Sequence, residues 1–585
     1  MTNNNKKHLK GNKPAKPNIL ALLKPYKLLI FGLIGFALLS NAVNLVIPKL
    51  ISKGIDDFSL GNFSYQKIIV EFLIAALIVF VFTFLQGILQ VYASERVGRD
   101  LRTKLGNKIS TQSYAFIQQA NPSKLLTNIT SDIDSVKLFV SMAVVSLASS
   151  LFIIIGASIL LISINWELAL SVLIIIPIII GAFMIVFGKV SVLFKKSREV
   201  IDWLNKVINE SIMGAALVRV LNSQTMEYNK FLDANTQARN LGMSILRLFA
   251  TLIPIVVFVG NMASLIILAL GGHYVITNAM SLGDFAAFSS YLTLLIFPIM
   301  VIGFISNFVA QASVSYARIC AVIDAPETSD TGTVNTPLIG NIEMQNITVL
   351  YGDKPALKNV SLKIVAGTKT AVIGPTAAGK TQLLYLLTGL IEQTNGTILF
   401  DGIDLKNYNK ETFQHQIGFV FQDSVIFNMS VRENIAFNEN VTEELMKKAI
   451  DTAELNDLIN ILPNGLDTIV SERGNSLSGG QKQRIMLARA LAINPTILLL
   501  DDFTARLDTQ TEEKILKNVE NNYPGITLLS VTQKIASIKN YGQIILLEEG
   551  EILAHGTHDL LMETSTEYVQ IFNSQRSTNL MTIEN

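Results

Sequence analysis

The sequence predicts an all-α polytopic membrane domain of six transmembrane helices with long cytosolic extensions, followed by an α/β domain that carries a helical subdomain. Two observations predict this order. Apolar residues make up 50% of the 585 and concentrate in the first half, whereas short β-rich runs alternate with helical segments in the second. We divide the chain into an N-terminal tail (1–26), a transmembrane domain (27–323), a linker (324–340), the α/β domain (341–578) and a C-terminal tail (579–585).

Nearly uncharged stretches in the first half are long enough to cross a bilayer, since about 20 residues suffice for a helix. A buried core helix of a large soluble protein could explain one such stretch, but not six in series. The stretches are Leu28 to Leu50, Phe72 to Ala93, Leu138 to Ile164, Leu168 to Gly188, Leu248 to Gly272 and Phe285 to Gln311. We therefore expect the lipid bilayer as a partner and no nucleic acid.

Orientation follows from basic residues near the helix ends rather than from the net charge of +1. Lys and Arg are frequent in the N-terminal tail and in the second-to-third and fourth-to-fifth connections, whereas residues 164–167 and 274–284 contain neither. Both termini are therefore predicted to be cytosolic, in a multi-pass protein of the cell (inner or plasma) membrane. The lysine-rich start lacks a signal-peptide cleavage site, so we expect the first span to serve as an uncleaved signal. The single cysteine, Cys320, excludes an internal disulfide.

The most specific motif of the second half is a phosphate-binding P-loop. It follows a predicted strand, Ala371 to Gly374, and leads into a predicted helix, Gln382 to Leu390. In such a loop, backbone N–H groups and the positive helix end cradle phosphates, Lys380 supplies a point charge and the Thr381 hydroxyl ligates Mg²⁺. The predicted ATP-binding residues of the loop are Gly374, Pro375, Thr376, Ala377, Ala378, Gly379, Lys380 and Thr381.

A carboxylate that could hold Mg²⁺ lies downstream of the P-loop. Asp501 ends the apolar run Ile497 to Leu500, at the position that binds the metal in P-loop nucleotidases. Taken by itself, an apolar run that ends in aspartate is common and mostly structural. The P-loop upstream is what gives Asp501 a predicted role in metal binding.

A glycine-containing turn opens a predicted helix shortly before that run. Its residues are Leu477, Ser478, Gly479, Gly480 and Gln481. Successive N–H groups of this turn and the positive end of the following helix can form an anion site. Without further context, Ser-Gly-Gly would be merely a flexible turn before a helix.

With Gln422, Glu472-Arg473-Gly474 and Leu507-Asp508, the Leu477 to Gln481 turn resembles the signature motif of the ATP-binding cassette (ABC) proteins. The whole chain resembles a half-size exporter of their multidrug and lipid-exporter class. The resemblance covers nearly all 585 residues, with the motifs in the family's order and spacing. It implies ATP and Mg²⁺ as cofactors, ATPase activity coupled to transport, and a second half-transporter as partner. Two cassettes would then sandwich two nucleotides head to tail.

The same resemblance implies roles for individual residues. Leu477 to Gln481 contact the ATP of the opposite subunit, Tyr351 stacks on adenine, and Asp508 lies in the D-loop. Gln422 contacts ATP, shares Mg²⁺ with Thr381 and Asp501, and links nucleotide state to the membrane domain. Two segments match the family's coupling helices, namely Ser113 to Ala120 and Asn222 to Lys230.

Two positions depart from the family pattern, which has glutamate at 502 and histidine at 533. Asp502 keeps a carboxylate, but its shorter arm withdraws the oxygen by roughly 1 to 1.5 Å, and a displacement of ~1 Å can cost ~10²-fold in rate. Gln533 cannot carry a proton or a positive charge. We expect Asp502 to be a weakened base and ATP bound here to be hydrolysed slowly. Ala377 replaces a common glycine at a position that the pattern leaves free, and Arg506 is bulky where a small residue is usual.

Retained binding residues beside altered hydrolytic residues favour a heterodimer, in which this chain holds ATP in a degenerate site and lends its signature to a partner's competent site. Two alternatives stay open: a homodimeric exporter with Asp502 as a slow base, and a non-transporting nucleotide-sensing membrane regulator. A peptide exporter with a processing peptidase is disfavoured, because the tail before Lys27 is too short for a further domain. No acid or base lies in the middle of a span, which favours a small amphipathic or apolar cargo such as a drug or lipid.

Overall fold

The computed structural model describes residues 18–61, 63–327, 332–351, 354–470 and 476–583, with side chains as far as residue 575. The lysines before residue 18 and the Glu472-Arg473-Gly474 motif lie outside the described residues. The chain divides into two compact units. The helical unit comprises Met1–Thr111 and Ala120–Pro326, and the α/β unit comprises Gln112–Gln119 and Glu327–Asn585.

Helices build the first unit because, within a bilayer, each backbone N–H and C=O must be satisfied inside its own segment. They are α1 (Ile19–Leu22), α2 (Lys27–Ser59), α3 (Tyr65–Ser110), α4 (Tyr114–Ala120), α5 (Pro122–Thr127), α6 (Ile133–Leu138), α7 (Val144–Ile164), α8 (Trp166–Leu173), α9 (Ile175–Met213), α10 (Ala215–Val220), α11 (Gln224–Ile266), α12 (Gly272–Ile276) and α13 (Leu282–Ile323). Short π-helical segments join α5 to α6, α6 to α7 and α11 to α12. Most of α4 belongs to the α/β unit.

Within the described part of the chain, six helical stretches are long and apolar enough to cross a membrane. They contain between 41 and 53 residues. At about 1.5 Å per residue such helices are roughly 60 to 80 Å long, about twice the ~30 Å hydrocarbon core. The stretches are Ile19–Ser59, Tyr65–Ser110, Pro122–Ile164, Trp166–Met213, Gln224–Ile276 and Leu282–Ile323. Each contains or overlaps one predicted span.

An ion pair between a buried carboxylate and a half-exposed arginine joins the third spanning stretch to the sixth inside the helical unit. The Asp132 side chain is 3% exposed. Its carboxylate accepts hydrogen bonds from Ser315 Oγ at 2.8 Å and from Arg318 Nε at 2.9 Å, and from a second guanidinium nitrogen of Arg318. Because a buried carboxylate is costly without a partner, this pair holds the two stretches in one register.

The second unit contains two sheets surrounded by helices. Its strands are β1 (Ile342–Tyr351), β2 (Lys354–Ile364), β3 (Lys369–Ile373), β4 (Asn395–Phe400), β5 (Ile403–Asp404), β6 (Ile417–Val420), β7 (Ile497–Asp501), β8 (Thr527–Val531), β9 (Gln543–Glu548) and β10 (Glu551–Gly556). Its helices are α14 (Lys380–Leu387), α15 (Lys410–Gln414), α16 (Val431–Ile435), α17 (Glu443–Thr452), α18 (Asn456–Ile461), α19 (Gly479–Ala492), α20 (Thr509–Asn522), α21 (His558–Thr564) and α22 (Thr566–Ile583). Helices α16 to α19 form the predicted helical subdomain.

The six-stranded sheet has the order β10-β9-β3-β8-β7-β6. All neighbours in it are parallel except β10, which runs antiparallel to β9. The four-stranded sheet, β2-β1-β4-β5, is antiparallel. A helical membrane domain followed by a sheet-containing domain is therefore confirmed.

The parallel sheet brings distant parts of the sequence to one edge. Strands β7 and β8 are buried at every residue, which fits the apolar run of β7 and the largely apolar sequence of β8. Because β3, β8 and β7 are neighbours and parallel, the residues at their carboxyl ends meet at a single edge, where α/β sheets bind ligands. The P-loop follows β3, Asp501 ends β7, and Gln533 follows β8. Strand β3 ends at Ile373 rather than at Gly374, and α14 ends at Leu387 rather than at Leu390.

Candidate functional site

The P-loop curls between β3 and α14 because glycine stands at its two most crowded points. Gly374 has φ +150°, and a Cβ atom there would collide with the carbonyl oxygen of Leu547. Gly379 is the N-cap of α14 with φ +98°, and a Cβ there would lie 2.5 Å from the Ala356 carbonyl oxygen. Only glycine adopts such backbone angles at low cost. These two positions fix the path of the loop.

Lys380 lies inside the curve of this loop. Its ammonium donates hydrogen bonds to the carbonyl oxygens of Gly374 at 2.8 Å and Pro375 at 2.7 Å. Burial lowers the pKa of Lys380, while the nearby carboxylates of Asp502 and Asp501 oppose that change. The cation is thus held at the centre of the loop by backbone acceptors.

Ala377 adopts a left-handed backbone conformation, with φ +66°. The sequence pattern leaves this position free, but an L-residue there costs about 1 kcal/mol relative to glycine. Ala377 is therefore accommodated with backbone strain.

A cavity of about 330 Å³ lies over the loop at the sheet edge, and we call it the nucleotide cavity. Its lining contains most of the residues predicted for this chain's own ATP site. These are Tyr351, Thr376, Ala377, Ala378, Gly379, Lys380, Thr381, Gln422, Asp501, Asp502 and Gln533. Gly374 and Pro375 do not line it, but their carbonyl groups hold Lys380.

Sequence reasoning missed Gln382, which also lines the nucleotide cavity. The Tyr351 hydroxyl donates a hydrogen bond to Gln382 Oε1 at 2.6 Å. Gln382 directly follows Thr381, so its position after the P-loop was the available signal. This contact fixes the phenol ring of Tyr351 against the first turn of α14.

Asp501 has the features of a metal ligand. It is 1% exposed, and among the described residues its Oδ2 atom has no hydrogen-bond partner. Burial raises the pKa of Asp501, a hydrogen bond from Thr381 opposes the rise, and the charge of Asp502 adds to it. Thr381 and Gln422 bring further oxygen atoms to the same cavity. An unsatisfied buried carboxylate oxygen beside oxygen donors fits Mg²⁺, which prefers oxygen ligands.

Asp502 lies at the same edge of the sheet, and its backbone is in the left-handed conformation. Its φ is +48°, and its N–H donates to the carbonyl oxygen of Val531 at 3.0 Å. Burial raises the pKa of Asp502, while the cations of Lys380 and Lys534 lower it. Lys534 is a second residue that sequence reasoning missed, although it directly follows Gln533. The charges of two nearby lysines therefore act on the carboxylate of Asp502.

The signature residues lie at a separate place in the α/β unit. A second cavity of about 410 Å³, which we call the signature cavity, shares no lining residue with the nucleotide cavity. It is lined by Ser478, Gly479, Gly480, Gln481, Arg484, Arg506, Leu507, Asp508 and Thr511. Leu477 is buried in the core of the unit at 7% exposure. The predicted residues thus form two groups, with the P-loop, Asp501, Asp502 and Gln533 in one and the signature in the other.

A capping box fixes the signature turn at the start of α19. Ser478 Oγ accepts a hydrogen bond from Gln481 N at 3.3 Å, and Gln481 Oε1 accepts one from Ser478 N at 2.8 Å. A Cβ atom on Gly479 would lie 2.9 Å from Cδ of Arg506. A Cβ atom on Gly480 would lie 3.0 Å from the Arg506 carbonyl oxygen. The glycine pair therefore permits close packing against Arg506.

The two predicted coupling segments belong to different structural units. Residues 112–119 cluster with the α/β unit, where the rings of Tyr114 and Tyr385 meet edge to face at 5.5 Å. The second segment contains the turn before α11, in which Asn222 has φ +51°. It belongs to the helical unit.

Comparison with known proteins agrees with this architecture. Residues 29–299 match the family described as ABC transporter transmembrane region, and residues 357–505 match the family described as ABC transporter. An ATP-bound bacterial exporter of the Atm1 family has the same fold, with a TM-score of 0.78. That likeness covers 95% of this chain and 99% of the other at 23% sequence identity.

Two curated relatives extend the match over most of the sequence. The uncharacterized ABC transporter ATP-binding protein YfiB of Bacillus subtilis is 32% identical over 95% of this chain and 98% of its own length. An ATP-dependent lipid A-core flippase of Syntrophus aciditrophicus is 31% identical over 84% of this chain and 83% of its own length. The chain therefore belongs to the ABC transporter family, as a half-transporter of the exporter type whose cassette binds ATP with Mg²⁺ and couples ATP hydrolysis to transport.

Proposed function

We propose that this chain is one half of a heterodimeric exporter, in which it holds ATP in a degenerate site and completes a competent site on its partner. The observation that carries the proposal is the separation of the two cavities. The altered positions, Asp502 and Gln533, line the nucleotide cavity. The signature cavity contains an intact Ser-Gly-Gly turn with its capping box. A defect in one cavity therefore leaves the other whole.

In the proposed degenerate site, Tyr351 stacks on the adenine and the P-loop N–H groups bind the phosphates. Lys380 would exchange its carbonyl acceptors for phosphate oxygens. Thr381, Gln422 and Asp501 would hold Mg²⁺, which neutralises phosphate charge when bound. Asp502 is one methylene short of the usual base, and Gln533 offers hydrogen bonds without a positive charge. This set binds ATP well and hydrolyses it slowly.

In the proposed competent site, the partner supplies the P-loop and this chain supplies the signature. The N–H groups of Ser478, Gly479 and Gly480 and the positive end of α19 would face the phosphates of the partner's ATP. Asp508 caps α20 by accepting from Thr511 N at 2.9 Å and holds the D-loop beside that turn. The chain thus contributes anion-binding groups to a reaction whose base lies on another subunit.

We infer that the cargo is a small amphipathic or apolar compound, such as a drug or a lipid. No Asp, Glu, Lys or Arg lies in the middle of a predicted span, so the spans offer no charge for an ionic cargo. Relatives named as a lipid A-core flippase and as a probable multidrug resistance transporter support the same class. The basic connections favour an orientation with both termini in the cytosol, and we propose the plasma membrane as the location.

The homodimeric exporter is the second candidate, and one observation favours it. Burial raises the pKa of Asp502, which makes this carboxylate a stronger base than an exposed aspartate. Asp502 also lines the nucleotide cavity. A homodimer with Asp502 as a slow base would then hydrolyse ATP at two identical sites.

The heterodimer and the homodimer predict different effects of two substitutions on ATP turnover. Both substitutions are tested in the complex isolated from native membranes through a tag on this chain. In the heterodimer, Asp501→Asn alters only the degenerate site and should change ATP turnover by no more than about twofold. Gly480→Asp places a carboxylate in the signature turn and should lower turnover by about 100-fold, the usual effect of losing an oxyanion contact. Phosphate release in lipid nanodiscs, with mass spectrometry of the subunits, measures both.

The chain purified by itself serves as the control. The chain purified without a partner should show little ATPase activity while it still binds ATP. Brisk turnover by a verified homodimer, or equal loss of activity in both variants, would contradict the heterodimer and support the second candidate.

A further inference from the structure

We propose that Lys534 is a positioning residue that ties the switch segment, residues 532–535, to the turn that borders the signature cavity. Through this tie, Lys534 would hold the signature turn in the position that the ATP on the partner requires. The inference rests on the proposed division of sites, and it names the contact that keeps the signature turn in place.

The ammonium of Lys534 joins three acceptors at the end of β7 and the start of α20. It donates to the carbonyl oxygen of Thr504 at 3.0 Å and approaches that of Leu507 at 3.5 Å. It also lies 3.4 Å from Glu512 Oε2. An ammonium group has three protons, so these contacts occupy its whole donor capacity. Lys534 thereby contacts the 3-10 turn Phe503–Arg506 at its second residue and at the residue that follows it.

Glu512 explains why the lysine is held there. Its carboxylate is 1% exposed, and within the described residues its Oε1 atom has no hydrogen-bond partner. Lys534 forms an ion pair with the other oxygen atom. A buried carboxylate is costly without an opposite charge. The ammonium of Lys534 is therefore held at one point, although 41% of its side chain is exposed.

The backbone on either side of Lys534 is held as well. Gln575 Nε2 donates to the carbonyl oxygen of Gln533 at 2.5 Å, and Ile535 N donates to Gln575 Oε1 at 2.9 Å. Lys534 N donates to Thr532 Oγ1 at 3.1 Å. The switch segment is thus tied on one side to α22 and on the other, through Lys534, to the turn after β7. Lys534 thereby fixes the switch segment and that turn to each other.

The turn after β7 leads into residues that border the signature cavity. Arg506, Leu507 and Asp508 line this cavity, and Arg506 packs against Gly479 and Gly480. Because Arg506 packs closely against these glycines, a shift of the turn would displace them. A misplacement of about 1 Å at a catalytic group costs about 100-fold in rate. Lys534 would therefore act on the partner's ATP through position, without touching it.

The test compares variants in the complex isolated from native membranes. Lys534→Met leaves Glu512 buried without its cation, so the double variant Lys534→Met with Glu512→Gln removes both charges. We expect this double variant to lower kcat for ATP by about tenfold with KM within twofold, because the anion contacts of the partner's site shift while nucleotide binding persists. The single variant Lys534→Arg keeps a cation at this position and should retain most of the wild-type kcat. Lys514→Met is the matched control, since Lys514 pairs with Glu454 on the exposed face of α20.

An unchanged kcat in the double variant would overturn the proposal, as would a rise in KM at constant kcat. A low kcat in Lys534→Arg, similar to that of the double variant, would also overturn the proposal, because the role of Lys534 would then be structural only. The proposed heterodimer is tested separately by Asp501→Asn and Gly480→Asp in the wild-type background. The failure of one proposal is therefore distinguishable from the failure of the other.

Discussion

Replacement of Asp502 by glutamate and Gln533 by histidine should convert the degenerate site into a hydrolytic one. Asp502 already lines the nucleotide cavity, so one added methylene would advance its carboxylate by roughly 1 to 1.5 Å. A displacement of that size corresponds to ~10²-fold in rate, and a well-placed base contributes ~10²–10⁴-fold. We expect hydrolysis at this site to rise by about 100-fold.

The backbone of Asp502 also indicates how Asp502→Glu should change the stability of the protein. Asp502 has φ +48°, a conformation in which aspartate is several-fold enriched over most other residues. Because glutamate is less favoured than aspartate in this conformation, Asp502→Glu should lower the free energy of unfolding by about 1 kcal/mol. Thermal melting of the ATP-free protein measures this loss.

The assay requires the partner's site to be silent. Phosphate release is measured in the complex whose partner carries a substituted P-loop lysine, so that all turnover comes from this chain's own site. Single variants at each position separate the contribution of the base from that of the histidine. Turnover of the double variant within twofold of the wild type, with ATP affinity retained, would refute the interpretation of Asp502 and Gln533 as the cause of slow hydrolysis.

Three further predictions concern binding and stability. Tyr351→Ala should weaken ATP binding to this chain about tenfold, within the ~1–3 kcal/mol that base stacking on an aromatic ring contributes, as titration with a fluorescent ATP analogue measures. Asp132→Asn should lower the free energy of unfolding by about 1–3 kcal/mol, because the buried side chain loses its charge-assisted hydrogen bonds with Arg318 and Ser315, as thermal melts measure. Gly374→Ala should abolish ATP binding in the same titration, because its Cβ would collide with the Leu547 carbonyl group.

The sheet edge of the nucleotide cavity could be predicted because its signals are local. A glycine-rich loop between a strand and a helix, and an apolar run that ends in aspartate, place Lys380 and Asp501 at the ends of two strands. The parallel order β3-β8-β7 then brings them together. The backbone path through Gly374 and Gly379 follows from the same motif.

The residues that were missed depend on packing between distant parts of the chain. Lys534 was not predicted because its partners, Thr504 and Glu512, lie 30 and 22 positions away in sequence. The left-handed backbone of Asp502 was not predicted, because it depends on contacts with a distant strand, such as that of its N–H with Val531. The clustering of residues 112–119 with the α/β unit likewise depends on contacts such as Tyr114 with Tyr385.

Helix α22 matters for the way this protein is handled in the laboratory. Gln575 in that helix holds the backbone of Gln533 and Ile535 by two hydrogen bonds. A truncation of the chain before Gln575 would remove both contacts and leave the switch segment without this support. Helix α22 should therefore be kept intact as far as Gln575 when the chain is shortened for purification.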